Sequence, residues 1–124
     1  MDSLEVTDQA AAKVAIAPRV KLADIEAAIE RRFDVNGYLA IGMPGTEPRH
    51  SEVGESLSIL SLCILVMKNG FTVVGKSAPA SRENFDARLG AVFAYEDCIR
   101  QLWPLMGYAL RDLIHAEKKS DDGG

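Results

Sequence analysis

Histidine, cysteine and aromatic side chains are scarce in this chain, positive charge does not predominate, and long apolar runs are missing. Each shortage excludes a class of function. His50 and His115 are the only histidines, and neither they nor Cys63 and Cys98 show His-x-x-x-His or Cys-x-x-Cys spacing, so no metal site is expected. The two cysteines have apolar neighbours on a predicted strand and a predicted helix, which suits buried free thiols in a reducing compartment better than a disulfide. A net charge of −4 gives no basic field to attract a nucleic-acid backbone, so a polynucleotide partner is disfavoured. The longest apolar run, Leu57 to Met67, contains two serines and is too short to cross a bilayer. No charged segment precedes an apolar signal core, and we expect a soluble, intracellular protein with no membrane partner and no cofactor.

What remains is an ordinary composition for one small domain: 124 residues, 48% hydrophobic and 26% charged. Residues 1–18, ending at Pro18, are expected to form a flexible N-terminal tail, residues 19–116 a single domain, and residues 117–124 a flexible C-terminal tail. So short a domain buries a small core, and self-association into a dimer or higher homo-oligomer would remove more apolar surface from water.

Gly70-Phe-Thr-Val-Val-Gly-Lys-Ser77 matches the phosphate-binding pattern G-x-x-x-x-G-K-[ST]. A loop of that kind needs converging backbone N–H groups followed directly by a helix N-terminus. Phe71, Thr72, Val73 and Val74 are instead strand formers. Asn69-Gly70 suits a two-residue type I′ hairpin turn, which would set Lys68 opposite Phe71, Met67 opposite Thr72, Val66 opposite Val73 and Cys63 opposite Lys76. Lys76 then becomes a side chain on a sheet, and a P-loop NTPase is the least favoured reading.

Elsewhere, Leu22, Ile25, Ile29 and Phe33 recur at helical steps and predict an amphipathic helix. Asn36-Gly37 signals a turn before a possible strand from Tyr38 to Ile41, and Gly42 to Glu55 reads as a long loop. Leu57 to Lys68 is apolar on both faces, like a strand covered on two sides. Ser81 is a candidate cap for a long helix with Glu83 and Asp86 in its first turn. Phe85, Leu89, Val92, Phe93, Ile99, Leu102, Trp103 and Met106 form its apolar stripe, expected to be core, while Glu96 and Arg100 are expected as a solvated pair. Pro104 should kink or break this helix and open a final one. The fold class is therefore α+β: a small antiparallel sheet around the Asn69-Gly70 hairpin, an N-terminal helix and a long C-terminal helical segment interrupted at Pro104.

The stretches Ala23-Asp-Ile-Glu-Ala-Ala-Ile29, Asn69-Gly-Phe-Thr-Val-Val-Gly75, Glu83-Asn-Phe-Asp86 and Leu102-Trp-Pro-Leu-Met-Gly-Tyr108 resemble a family of small tailed-phage proteins. That family is named after the gene-49 product of a coliphage and the gene-66 product of a Shigella phage. Its pattern usually has an acidic residue where this chain has Lys76, so the P-loop match would arise from one side-chain change. The resemblance implies a phage or prophage protein expressed in a bacterial cytoplasm and supplies no mechanism. In size, element order and expected oligomerisation the chain is also similar to the Thoeris anti-defence sponges, which bind cyclic ADP-ribose isomers or cyclic oligonucleotides; that similarity is architectural.

Three functions follow as expectations. The first is sequestration, without turnover, of a small nucleotide-derived immune signal. Lys76, Ser77, Arg82, Asn84 and Arg88 would supply cations, a hydroxyl and an amide near a helix N-terminus, with Phe71 or Tyr95 for stacking. The second is a protein-binding inhibitor or structural accessory acting on a host or phage protein. The third, catalysis, has little support: Glu96 and Asp97 are adjacent on different helix positions, and no serine or cysteine has an obvious paired base.

Overall fold

The structure is a computed structural model and describes residues 3–14, 17–42 and 47–123. The fold is α+β. In chain order its elements are α1 (Ser3–Val14), α2 (Leu22–Ala27), β1 (Ile29–Asn36), α3 (Gly37–Ala40), α4 (Glu52–Ser58), β2 (Ser61–Met67), β3 (Thr72–Ser77), a 3-10 turn (Arg82–Asn84) and α5 (Ala87–Gly123). The strands form one antiparallel sheet in the order β1-β2-β3. Two compact units result: Ile29–Ile99 holds the sheet, and Met1–Ala28 with Arg100–Gly124 forms the other.

In the sheet unit the expected helix through Ile29 and Phe33 stops at Ala27, and Ile29–Asn36 is strand β1. Helical spacing was present, but the ladder to β2 satisfies every second backbone group of this segment, and tertiary pairing outweighs a weak local preference. The Asn36-Gly37 signal marks a different event as well. Asn36 Oδ1 accepts from Tyr38 N–H at 2.9 Å and caps the short helix α3, where a strand was expected. The expected loop from Gly42 to Glu55 ends early, because Ser51 Oγ caps α4 at 3.0 Å from Gly54 N; Met43 to Thr46 lie outside the described residues.

The β2–β3 hairpin is present with its register one residue away from expectation: Val66 faces Thr72, Leu65 faces Val73 and Cys63 faces Gly75. A type I′ turn needs positive φ at both central residues. Gly70 has φ +89°, but Asn69 does not adopt positive φ. The turn instead runs over three residues, with Gly70 N–H bonded to Met67 O at 2.9 Å and Met67 N–H to Phe71 O at 2.8 Å. Asn69 Oδ1 accepts from Phe71 N–H at 2.9 Å, an Asx contact that favours this geometry.

That one-residue shift decides what each face carries. Ser61, Cys63, Leu65, Met67, Val73 and Gly75 are buried on one face, whereas Thr72, Val74 and Lys76 are exposed on the other. The strand pair is thus covered on one side, against the expectation of two.

Helix α5 packs on the buried face through small residues. A Cβ on Gly75 would lie 2.7 Å from Cys98 Sγ, and one on Gly90 would meet Ser61. Gly90, Ala94 and Cys98, at four-residue steps, form a seam that lets helix and sheet backbones approach closely. Of the large apolar residues expected as core, Ile99 and Leu102 are buried, whereas Leu89, Val92 and Phe93 are 40–51% exposed. Glu96, expected in solvent, is buried. α5 is also capped by Asp86, whose Oδ1 accepts from Arg88 N–H and Leu89 N–H at 2.9 and 3.1 Å, and not by Ser81, which makes no side-chain cap.

In the other unit, residues expected to be tails are helical. Ser3–Val14 is α1 and buries Leu4; Asp8 Oδ1 accepts from Arg19 Nη1 at 2.7 Å and from Leu22 N–H at 3.2 Å. The Arg19 hydrogen bond holds the Asp8 carboxyl below the usual carboxylate range. Trp103 Nε1 donates to Val20 O at 3.1 Å, and Arg100 donates to Ser3 Oγ at 3.3 Å. α5 continues through Pro104 without a break and on through Lys119, because its neighbouring i→i−4 hydrogen bonds carry the helix past the one N–H that proline lacks.

Candidate functional site

The structure separates the residues that the sequence grouped around Lys76. Phe71 is half-exposed where the hairpin turn returns to β3, at the opposite end of the strand from Ser77. Lys76 lies on the open face of the sheet. Its backbone N–H donates to Asp97 Oδ2 at 3.0 Å, so the amide that would face a phosphate in a P-loop faces a carboxylate of α5. Gly75, the second glycine of the pattern, serves the sheet–helix contact.

The helix N-terminus is similarly committed. Arg88 N–H and Leu89 N–H both point to Asp86, which satisfies the orphan donors with an internal anion. Arg82 Nη1 donates to Glu55 Oε1 at 2.7 Å, an exposed pair worth little to stability but one that neutralises the cation locally. Tyr95 presents its ring to Arg32, whose guanidinium carbon sits 4.3 Å from the ring centroid. Of the three proposed cations, Lys76 and Arg88 have side chains with no ion-pair partner among the described residues, whereas Arg82 is paired with Glu55.

Two of the proposed residues do converge. Ser77 and Asn84 line one cleft of about 220 Å³ with Ala78, Pro79, Phe85, Asp86, Leu89, Gly90 and Phe93. β3 delivers Ser77 from one side; the turn through Pro79 and the 3-10 segment bring Asn84 and Phe85 over it, and the first turns of α5 supply Leu89 and Phe93. The result is a mainly apolar cleft with two rings, a hydroxyl, an amide and a carboxylate. Such a composition holds a flat apolar ring and fixes its polar edge by a few hydrogen bonds. Phe85, Asp86 and Phe93 were missed as site residues because helical spacing assigned both rings to the core. The available signal was Asp86 itself, an aspartate directly before Ala87, where an N-cap belongs.

Thiol chemistry has no place here. Cys63 and Cys98 are fully buried, and Cys98 Sγ donates to Cys63 O at 3.4 Å. Burial raises Cys63 and pushes Cys98 up to about 12, so both stay protonated at neutral pH. Among the described residues no three His, Cys, Asp or Glu side chains cluster as metal ligands, and no helix is long and apolar enough to cross a membrane.

No curated protein and no solved structure matches the chain significantly. A family model does, over residues 20–114, a span that contains β1–β3, the cleft and most of α5. The chain belongs to the Phage protein (N4 Gp49/phage Sf6 gene 66) family.

Proposed function

We propose that this phage accessory protein binds a small nucleotide-derived signal and holds it without turnover, depriving a host defence of its messenger. The observation that carries this reading is the convergence of Ser77 and Asn84 with Phe85 and Phe93 in one cleft. The rings supply surfaces for a purine, and the amide and hydroxyl reach its polar edge or a ribose. A cleft of about 220 Å³ accommodates one base with part of its sugar and leaves the phosphates outside. Arg88, next in sequence to Leu89 of the cleft and without an ion-pair partner among the described residues, would supply the cation that meets them. Asp86 is engaged with two helix amides and is poorly placed to act as a general base, which favours holding over hydrolysis. The test is calorimetry and thermal shift against cyclic ADP-ribose isomers and cyclic di- and trinucleotides, followed by recovery of the ligand after denaturation. Micromolar or tighter binding that Asn84→Ala and Arg88→Ala weaken, with the ligand recovered intact, supports the reading. Stabilisation by none of these compounds overturns it, and so does recovery of a converted product.

A second reading, a protein-binding accessory, is favoured by the open face of the sheet. There Phe33 pairs with Ile64 and Ile64 with Val74 in one cross-strand row, and Phe33 and Val74 are 46% and 54% exposed. Co-purification of a host or phage protein that Val74→Asp abolishes, with no nucleotide bound, favours this reading over the first.

A further inference from the structure

The outer edge of β1 is open, and the order of charges along it is self-complementary. Gly37 N–H donates to Leu60 O at 2.7 Å, which fixes the phase of the ladder. Arg31, Phe33 and Val35 bond inward to β2, while Arg32, Asp34 and Asn36 turn their backbone N–H and C=O groups outward. The same phase, carried across β2, turns Lys76 N–H to the outer edge of β3, where Asp97 closes it. On β1 no backbone group of Arg32 or Asp34 has a partner on that side among the described residues, and Glu30 through Asp34 are exposed. A bare edge of this kind is a template for another strand.

We propose that two copies of this chain join β1 to β1, antiparallel, about a two-fold axis at Phe33. Because the outward residues are even-numbered, symmetric pairings near the middle of the strand centre on residue 32, 33 or 34. Centring on Arg32 sets two arginines directly opposite each other, and centring on Asp34 does the same with two aspartates; both are unfavourable. Centring on Phe33 sets Arg32 opposite Asp34 of the partner subunit, and the symmetry repeats the pair. Arg32 and Asp34 already form an ion pair 3.1 Å apart within the strand, so the dimer closes an alternating ring of four charges. The two hydrogen-bonded pairs supply about four ladder bonds.

The open face points to the same occupant. In this register the row Val74, Ile64, Phe33 meets its own copy at the axis and continues as an unbroken apolar row across a doubled sheet. A parallel in-register stack would place every Arg32 beside another, so the charges that favour this dimer oppose open-ended stacking. The dimer is independent of the ligand reading, since neither Ser77 nor Asn84 takes part.

Sedimentation equilibrium of the full chain tests it, with variants that change the charge order. Arg32→Asp and Asp34→Arg alone should each weaken the dimer about tenfold, since each sets like charges opposite twice. The double variant Arg32→Asp/Asp34→Arg should return the affinity to within about threefold, because the pairs are restored with reversed sign. As a check that does not depend on charge, Phe33→Cys should form a disulfide-linked dimer with glutathione disulfide as oxidant. The two thiols give up two protons and two electrons, and two glutathiones are released. Val74→Cys, far from the axis, should not cross-link. If a single variant fails to fold by circular dichroism, the Phe33→Cys cross-link decides. A monomer at high micromolar concentration overturns the proposal, as does a dimer indifferent to the charge changes, or cross-linking at residue 74 in place of 33.

Discussion

The carboxylate of Asp97 lies 3.0 Å from the backbone N–H of Lys76, so an internal anion of α5 meets the amide that a phosphate-binding loop would present to its ligand. Replacing Asp97 by alanine leaves that N–H without its partner at the edge of β3. The expected loss is about 1 kcal/mol, read as a lower urea midpoint with an unchanged slope. Asp97→Asn, which keeps an acceptor, should lose less. Neither variant should gain nucleotide hydrolysis, and a phosphate-release assay on both checks this.

Gly75 and Lys76, adjacent in the G-K-S motif, should behave oppositely on substitution. Gly75→Ala drives a methyl group to 2.7 Å from Cys98 Sγ and 2.9 Å from Cys98 N, and should cost about 3 kcal/mol or prevent soluble expression. Lys76→Ala removes an exposed side chain and should stay within about 0.5 kcal/mol of the parent. Denaturant melts of the pair settle whether the motif serves packing or chemistry.

Cys98 should leave a mark on alkaline stability. Its folded pKa, pushed up to about 12 by burial, lies above the ordinary thiol value of 9.0. The unfolded chain therefore releases its proton first, and the stabilisation that is complete below about pH 9 is lost as pH rises toward 12. A melting temperature followed across that range should fall more steeply in the parent than in Cys98→Ala. Native protein should also resist a thiol-specific reagent at pH 8 and react after denaturation.

Asp8 should respond at the acid end. The Arg19 hydrogen bond lowers its folded pKa below 3.8, so its contribution is present above that value and disappears as pH falls through the folded pKa. Asp8→Asn should lower the melting temperature at pH 7 and make progressively less difference as the pH falls through the folded pKa. An equal effect at every pH would assign the loss to packing.

Much of the fold can be read along the chain. Gly70 had to be a turn, because Asn69-Gly70 sits between strand formers and only glycine takes φ +89° without strain. Strands β2 and β3, the long α5 and the thiol character of Cys63 and Cys98 follow from local pattern. β1 does not, since Ile29 and Phe33 satisfy helical spacing and only the presence of β2 makes a strand the better state. The candidate cleft was half legible. Ser77 and Asn84 were identified by proximity in sequence, whereas Phe85 and Phe93 were assigned to the core because large apolar residues at helical steps usually belong there.

Local sequence alone carries the α+β class, the hairpin, the family and a strand in place of a loop over Thr72–Ser77, because turns and strands depend on φ preferences and side-chain stiffness within a few residues. Tertiary structure decided the register, the face of α5 that packs, and the fate of each charge. Those choices rest on contacts between distant residues. Gly75 fits only against Ala94 and Cys98, and Lys76 N–H finds Asp97 across the fold, so that small side chains bring the backbones together and Leu89 and Phe93 are left to line the cleft.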